Sequence, residues 1–131
     1  MNKFATLVLL TVLISCNSSK TGIRVNTQNN KQEATNLYRY CVSFISIGSG
    51  IDGSAKQQFL DFIKDFETKY NIKISYEVVK WGREGETDYC LKLVELKADE
   101  QNAFITNSKE LLKTATLVRY SENSVCKNKR D

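Results

Sequence analysis

The order of apolar and polar positions along the chain predicts six elements of secondary structure. Apolar residues at steps of three and four between positions 54 and 70 are typical of an amphipathic helix, whereas alternation after position 71 is typical of a strand. The predicted elements are a strand over 38–47, a helix over 54–70, strands over 72–78 and 89–93, a helix over 98–113 and a short strand over 116–120. The compact turn at 82–85 makes the second and third strands an antiparallel hairpin.

The first helix has clear start and stop signals. Asp52 or Ser54 is expected to cap its amino terminus through a side-chain oxygen. Asn71 is expected to end it in a left-handed conformation. These signals make this helix the best-defined element of the chain.

The order strand, helix, strand, strand, helix, strand resembles the ferredoxin-like plait. The resemblance implies an α+β fold in which both helices cover one face of a four-stranded antiparallel sheet. It also implies the spatial strand order fourth, first, third, second.

The predicted sheet has one face without helices. If the helices cover Ile45, Ile47, Ile74, Tyr76, Leu91 and Leu93, the open face collects Val42, Phe44, Val79, Trp81, Val94 and Tyr120. An apolar face of this kind marks a partner, a dimer or a ligand. Two alternatives remain: the tether or the tail folds back over this face, or the assignment is shifted by one residue and inverts.

The amino-terminal residues carry a targeting signal. The apolar run over 4–14 is too short for the roughly 20 residues that span a bilayer. Together with Leu13-Ile14-Ser15-Cys16 it resembles the signal peptides of bacterial lipoprotein precursors. The resemblance implies cleavage before Cys16 and acylation of this residue, which would anchor the chain to a membrane. In the alternative, an ordinary secretory signal, Cys16 is an incidental thiol, and both interpretations place the protein outside the cytoplasm.

This resemblance sets the expected organisation and location of the chain. The expected segments are a signal peptide (1–15), a lipidated amino terminus and flexible tether (16–36), a single α+β domain (37–122) and a polar tail (123–131). The absence of Asp at position 17 favours the outer membrane over the inner membrane. The absence of an acidic cluster at 17–20 favours its periplasmic face.

The composition narrows the chemistry. The net charge is only +4 and both signs are interspersed, so no basic face predicts a nucleic-acid partner. The chain contains no histidine, which removes the usual general base and the usual zinc ligand. The cysteines lack the close spacing of a metal site. We therefore expect neither a metal nor a cofactor, and the composition weighs against an enzyme.

Three cysteines remain once Cys16 is lipidated, which predicts one disulfide and one free thiol. In the plait the fourth strand runs antiparallel beside the first. The end of the fourth strand, and Cys126 just beyond it, should therefore lie near Cys41. This geometry predicts a disulfide between Cys41 and Cys126 and leaves Cys90 as a buried thiol.

The turn between the first strand and the first helix has the pattern G-x-G-x-x-G over 48–53. A dinucleotide site needs a continuing parallel sheet, which the hairpin excludes. Two interpretations remain: a glycine-rich turn capped by Asp52, or an anion site that uses the amides of this turn. The candidate anion-binding residues are Gly48, Ser49, Gly50 and Ser54.

The hairpin tip combines the only tryptophan, Trp81, with Arg83 and the acidic residues Glu84, Glu86 and Asp88. This mixture suits recognition of a sugar or a peptide. Two of the carboxyl groups would suit acid–base catalysis only if their environments separated their pKa values, and no feature of the sequence indicates this. The other interpretation is a charged hairpin tip with the indole packed over the end of the sheet.

These observations predict a small lipid-anchored lipoprotein of the cell envelope that acts as a non-enzymatic binding module. The candidate binding residues are Phe44, Val79, Trp81, Arg83 and Glu86. The partner would be another envelope protein or a second copy of the chain. The alternative function is a small enzyme or anion-binding protein that works at the turn over 48–54.

Overall fold

A computed structural model describes residues 36–129 of the chain. The predicted signal peptide, Cys16, the tether up to residue 35 and the last two residues lie outside the described residues. The elements are β1 (Leu37–Phe44), α1 (Gly53–Tyr70), β2 (Tyr76–Lys80), β3 (Thr87–Leu91), α2 (Ala98–Leu111) and β4 (Val118–Val125).

The strands form one antiparallel sheet in the order β2-β3-β1-β4. This confirms the predicted α+β fold of the ferredoxin-like type. The strand bounds differ from the prediction: β1 ends at Phe44, β2 begins at Tyr76 and β4 continues to Val125.

The first helix begins and ends where its signals predicted. The Asp52 carboxylate accepts a hydrogen bond from the Ala55 amide at 2.9 Å, which satisfies one of the unpaired donors of the first turn. Asn71 ends the helix with φ of 51° and ψ of 48°. α1 then packs Phe59, Ile63 and Phe66 into the core.

The predicted assignment of the two sheet faces is wrong for β1. Val42 and Phe44 are fully buried in the core cluster that also contains Phe59 and Phe104 of the helices, whereas Ile47 is 80% exposed in the following loop. β1 has apolar residues at nearly every position from 40 to 45, so alternation could not identify the helix-facing set. Phe44 therefore cannot belong to a surface binding site.

A buried pair of hydroxyl groups joins β1 to α2. The Tyr40 and Ser108 oxygens are hydrogen bonded at 2.9 Å, and the Ser108 hydroxyl also donates to the Ile105 carbonyl at 3.0 Å. Both side chains are fully buried, and burial raises the pKa of Tyr40. The pair fixes the register between helix and sheet, because an unpaired polar group there would be costly.

The two edges of the sheet differ. At the β4 edge the strand is distorted at Asn123, which has φ of 50°, and the pairing with Arg39 is interrupted there. Glu122 beside it binds both Arg39 and Lys109 at 2.6 Å. β2 forms the opposite edge and has neither a proline nor a left-handed residue. The β4 edge therefore has a backbone distortion that discourages further strand pairing, whereas β2 has charged side chains, with Glu77 paired to Lys129, but no such distortion.

Within residues 36–129, neither helix is both long and apolar enough to cross a bilayer.

Candidate functional site

The glycine turn between β1 and α1 holds a carboxylate of the same chain. Glu84, at the hairpin tip, accepts a hydrogen bond from the Gly48 amide at 3.1 Å and another from the Ser46 hydroxyl. The Ser46 hydroxyl, followed by the amides of Gly50 and Gly48, lowers the pKa of Glu84. The turn is thus able to bind an anion, and the anion it binds is Glu84.

The other predicted anion-binding residues are not drawn into this arrangement. Ser49 is exposed, and the Ser54 hydroxyl accepts a hydrogen bond from Gln58 at 3.3 Å within α1. The structure therefore joins the amides of Gly48 and Gly50 around one carboxylate and leaves both serines outside. The contact of Glu84 with the turn could not be read from local patterns, because Gly48 and Glu84 are 36 residues apart.

The remaining acidic residues of the hairpin hold its shape. The Glu86 carboxylate accepts the Glu84 amide at 2.8 Å and is nearly buried. Asp88 is almost completely buried and accepts the Trp81 indole N–H at 2.9 Å and the Asn128 side-chain amide at 2.8 Å. Each of these carboxylates thus has hydrogen-bond partners within the chain.

The predicted binding residues are dispersed rather than gathered in one site. Val79 is partly buried against the cluster of cysteine side chains, and Trp81 is half-buried beside Asp88. Arg83 is exposed at the hairpin tip, Glu86 supports the turn and Phe44 lies in the core.

The disulfide joins Cys90 to Cys126, with Cα atoms 5.8 Å apart, and the predicted pairing of Cys41 with Cys126 is wrong. The prediction placed Cys90 near the far end of the sheet, but the β1–β3 register sets Cys90 directly opposite Cys41. Val125 of β4 pairs with Leu37, so Cys126 lies beyond the first residue of β1 and more than four residues away from Cys41 along that strand. After Val125 the chain turns back across the sheet, which brings Cys126 to Cys90.

Cys41 is unpaired among the cysteines of residues 36–129 and is buried. It packs with Cys90, Cys126 and Tyr38 in a second apolar cluster, which we call the sulfur cluster. Burial raises the pKa of the Cys41 thiol, and hydrogen bonds with the serines of β4 offset part of this rise.

The residues after β4 cover part of the sheet face that lacks helices. We call residues 126–129 the C-terminal segment. The disulfide attaches it to β3, Asn128 bonds to Asp88, and Lys129 pairs with Glu77 at 2.8 Å. This arrangement agrees with the alternative in which the tail covers the open face. Its polar sequence gave no sign of these contacts.

The described surface includes concave regions beside β4. An open groove of about 540 Å³ lies between α2 and β4 and includes Arg39, Lys109 and Glu122, which are already paired with one another. A smaller cavity of about 270 Å³ lies beside the C-terminal segment and includes Tyr38 and Lys129. No group of three or more metal-ligating side chains occurs in the part of the chain described here.

An exposed apolar surface borders β2. Tyr76 and Val78 lie on the helix side of this edge strand but are 39% and 47% exposed, and the Tyr76 ring contacts Tyr89 at a centroid distance of 5.7 Å. Val94, 76% exposed, follows β3 near the start of β2, where the Ser75 amide donates to Glu95 at 3.1 Å. The sequence predicted that the helices cover Tyr76 and therefore did not reveal this surface.

Comparison with known proteins identifies no family for this chain. No protein-family model matches it, and no curated protein matches it. Among solved structures it is similar to a phage SAM lyase in complex with S-methyl-5′-thioadenosine, with a TM-score of 0.34 and 14% identity over 70% of this chain and 85% of that chain. The strand order of the sheet, and not this likeness, defines the fold class.

Proposed function

We propose that the protein is a lipid-anchored, non-enzymatic interaction module of the cell envelope, and that it binds by adding a strand to the free edge of β2. The strand it adds comes from a second copy of the chain. The observation that carries this proposal is the free, undistorted edge of β2, with Tyr76 and Val78 exposed beside it. A row of unpaired backbone groups next to apolar side chains is a template for strand pairing.

The sequence of β2, Tyr-Glu-Val-Val-Lys, is compatible with pairing to itself. In an antiparallel pair centred on Val78, a two-fold axis perpendicular to the sheet keeps the helices of both copies on one side. Tyr76 then lies opposite Lys80 of the second copy, and Glu77 lies opposite Val79. No like charges face each other, and each half-exposed Val78 would gain roughly 1 kcal/mol from burial.

Lipid anchoring would favour such pairing. Acylation at Cys16 would confine the copies to one membrane surface, where their effective concentration is higher than in solution. The tether predicted over 17–36 would have a root-mean-square reach of roughly 25 Å, which would leave the domains free to turn until their β2 edges meet. The alternative function, an external anion at the glycine turn, has less support because Glu84 occupies the amides.

Disulfide cross-linking of the full chain in its own membranes tests the register. With Val78→Cys, the two new cysteines should lie directly opposite one another, about 5 Å apart at Cβ, and a mild oxidant should yield a covalent dimer. Lys80→Cys alone should not cross-link, because its counterpart lies four residues along the strand, roughly 13 Å away. Coexpression of Tyr76→Cys with Lys80→Cys should restore the dimer.

Ile47→Cys provides the matched control, since Ile47 is more exposed than Val78 but lies in the glycine turn. Equal cross-linking of Ile47→Cys and Val78→Cys would mean random collision and would contradict the proposal. A Val78→Cys adduct with a different protein, without the homodimer, would keep a binding role for β2 but reject the second copy as its partner. Mass-spectrometric detection of acyl chains on Cys16 tests the anchor separately.

A further inference from the structure

The free thiol of Cys41 lies directly beside the only disulfide in residues 36–129. Cys41 and Cys90 are cross-strand partners in the register of β1 and β3, and both pack with Cys126 in the sulfur cluster. Cys90 thus has two possible disulfide partners, one opposite it in the sheet and one in the C-terminal segment.

A disulfide between Cys41 and Cys90 is within reach of the existing backbone. Directly opposed residues of antiparallel strands have Cα atoms about 4.5 or 5.5 Å apart. Disulfides bridge Cα atoms about 4.4–6.8 Å apart, so either geometry suffices. The observed Cys90–Cys126 pair has a Cα distance of 5.8 Å.

The geometry points to an internal thiol–disulfide exchange that releases the C-terminal segment. The Cys41 thiolate attacks the sulfur of Cys90, the Cys41–Cys90 bond forms, and the Cys90–Cys126 bond breaks. Cys126 leaves as a thiolate and takes up the proton that Cys41 lost. One disulfide exists before and after, so the step consumes no oxidant and no reductant.

The exchange changes which part of the sheet is covered. The C-terminal segment loses its covalent link to β3 and keeps only the Asn128–Asp88 hydrogen bond, the Lys129–Glu77 ion pair and a longer contact of Lys129 with the Tyr38 hydroxyl. These polar contacts near the surface are individually weak. Release would expose the sheet face around Val79 and Trp81 and present Cys126 as an accessible thiol. This inference is independent of strand addition at β2.

Trapping of thiols in the full chain tests the exchange. The protein carries Cys16→Ser, so that only the three cysteines of the domain remain, and it is incubated without denaturant for minutes to hours, the timescale of uncatalysed rearrangement. N-ethylmaleimide is then added in an acidic denaturant, which makes the buried thiol accessible and stops further exchange, and the peptides are mapped by mass spectrometry. We expect the alkyl label to move from Cys41 to Cys126 one for one with the appearance of a Cys41–Cys90 disulfide. Label confined to Cys41, with only the Cys90–Cys126 disulfide present, would overturn the proposal.

Two matched variants provide an independent test. In a glutathione buffer that oxidises Cys41→Ser to the Cys90–Cys126 form, Cys126→Ser should form the Cys41–Cys90 disulfide, with its fold verified by circular dichroism. Retention of two thiols by folded Cys126→Ser in that buffer would also overturn the proposal. In Cys41→Ser the label should never reach Cys126.

Discussion

Removal of the Cys90–Cys126 disulfide should cost a large share of the stability of this domain. The bridge closes a loop with a sequence separation of 36. The chain-entropy relation gives about 4 kcal/mol at 25 °C for a loop of this length. Domains of this size have total unfolding free energies of roughly 5–15 kcal/mol, so the loss would be a substantial fraction.

The comparison requires a background in which no other disulfide can form. The starting protein carries Cys16→Ser and Cys41→Ser, and the test protein adds Cys126→Ser. Any cost of Cys41→Ser in the sulfur cluster is present in both proteins and cancels. Urea unfolding, followed by the fluorescence of Trp81 and by circular dichroism, should show a decrease of about 4 kcal/mol, equivalent to a fall in Tm of roughly 15–30 °C.

Reduction of the starting protein should reproduce the effect of Cys126→Ser, because both remove the same link. A loss below about 1 kcal/mol in both experiments would refute the loop-closure argument. With Cys41 restored, Cys126→Ser should recover most of the loss under oxidising conditions. A Cys41–Cys90 bridge closes a loop of about fifty residues, which the same relation values at about 4 kcal/mol.

Three further predictions concern the core, the hairpin turn and the loss of stability at acid pH. Ser108→Ala should destabilise the fold by about 1–3 kcal/mol in urea unfolding, because it leaves the buried Tyr40 hydroxyl unpaired, and adding Tyr40→Phe should recover part of that loss. Gly82→Ala should lower the free energy of unfolding by about 1–3 kcal/mol, because Gly82 has φ of 66° and a Cβ there would collide with the Glu86 carboxylate. The control Gly53→Ala, at the start of α1, should be neutral or stabilising, because a Cβ there meets no atom. Lys109 and Arg39 lower the pKa of Glu122, so the stabilisation by its ion pairs is fully present above about pH 4.5 and is lost as the pH falls through the folded pKa. Glu122→Gln should therefore make the free energy of unfolding less dependent on pH in this range. An unchanged pH dependence would contradict the ion-pair argument.

The sequence predicted the order of the elements because each has a strong local signal. The stripe of α1, its cap at Asp52 and the glycines of the hairpin are readable over a few residues. The strand order followed only from the resemblance of the resulting element order to the plait. The helix-facing side of β1 was not predictable, since Cys41 lies between two apolar neighbours and supplies no polar contrast.

The contacts between distant segments depended on details that no local pattern encodes. The disulfide follows from the register that sets Cys41 opposite Cys90 and from the reversal of the chain after Val125. A shift of two residues along β3 would have changed the pairing without altering any alternation pattern. For the same reason, the exposed β2 edge became evident only once the extent of helix coverage was known.

Replacement of Glu84 tests whether the glycine turn is a structural contact or an anion site. The carboxylate of Glu84 competes with any external anion for the amides of Gly48 and Gly50 and for the Ser46 hydroxyl. In the wild-type protein, addition of phosphate should leave the amide resonances of Gly48 and Gly50 unchanged in NMR spectra. Glu84→Gln retains an acceptor oxygen but loses the charge, so these resonances should shift relative to wild type even without phosphate.

Glu84→Ala removes both the charge and the acceptor, and the two amides should then respond to millimolar phosphate, because unpaired donors beside a helix start attract anions. Asp61→Ala, on the exposed surface of α1, serves as the control for the loss of one negative charge. Saturable binding of phosphate by the wild-type protein, at the same amides and with Glu84 in place, would contradict the structural interpretation. In that case the carboxylate would be a displaceable occupant, and the function would have to be sought in the anion that displaces it.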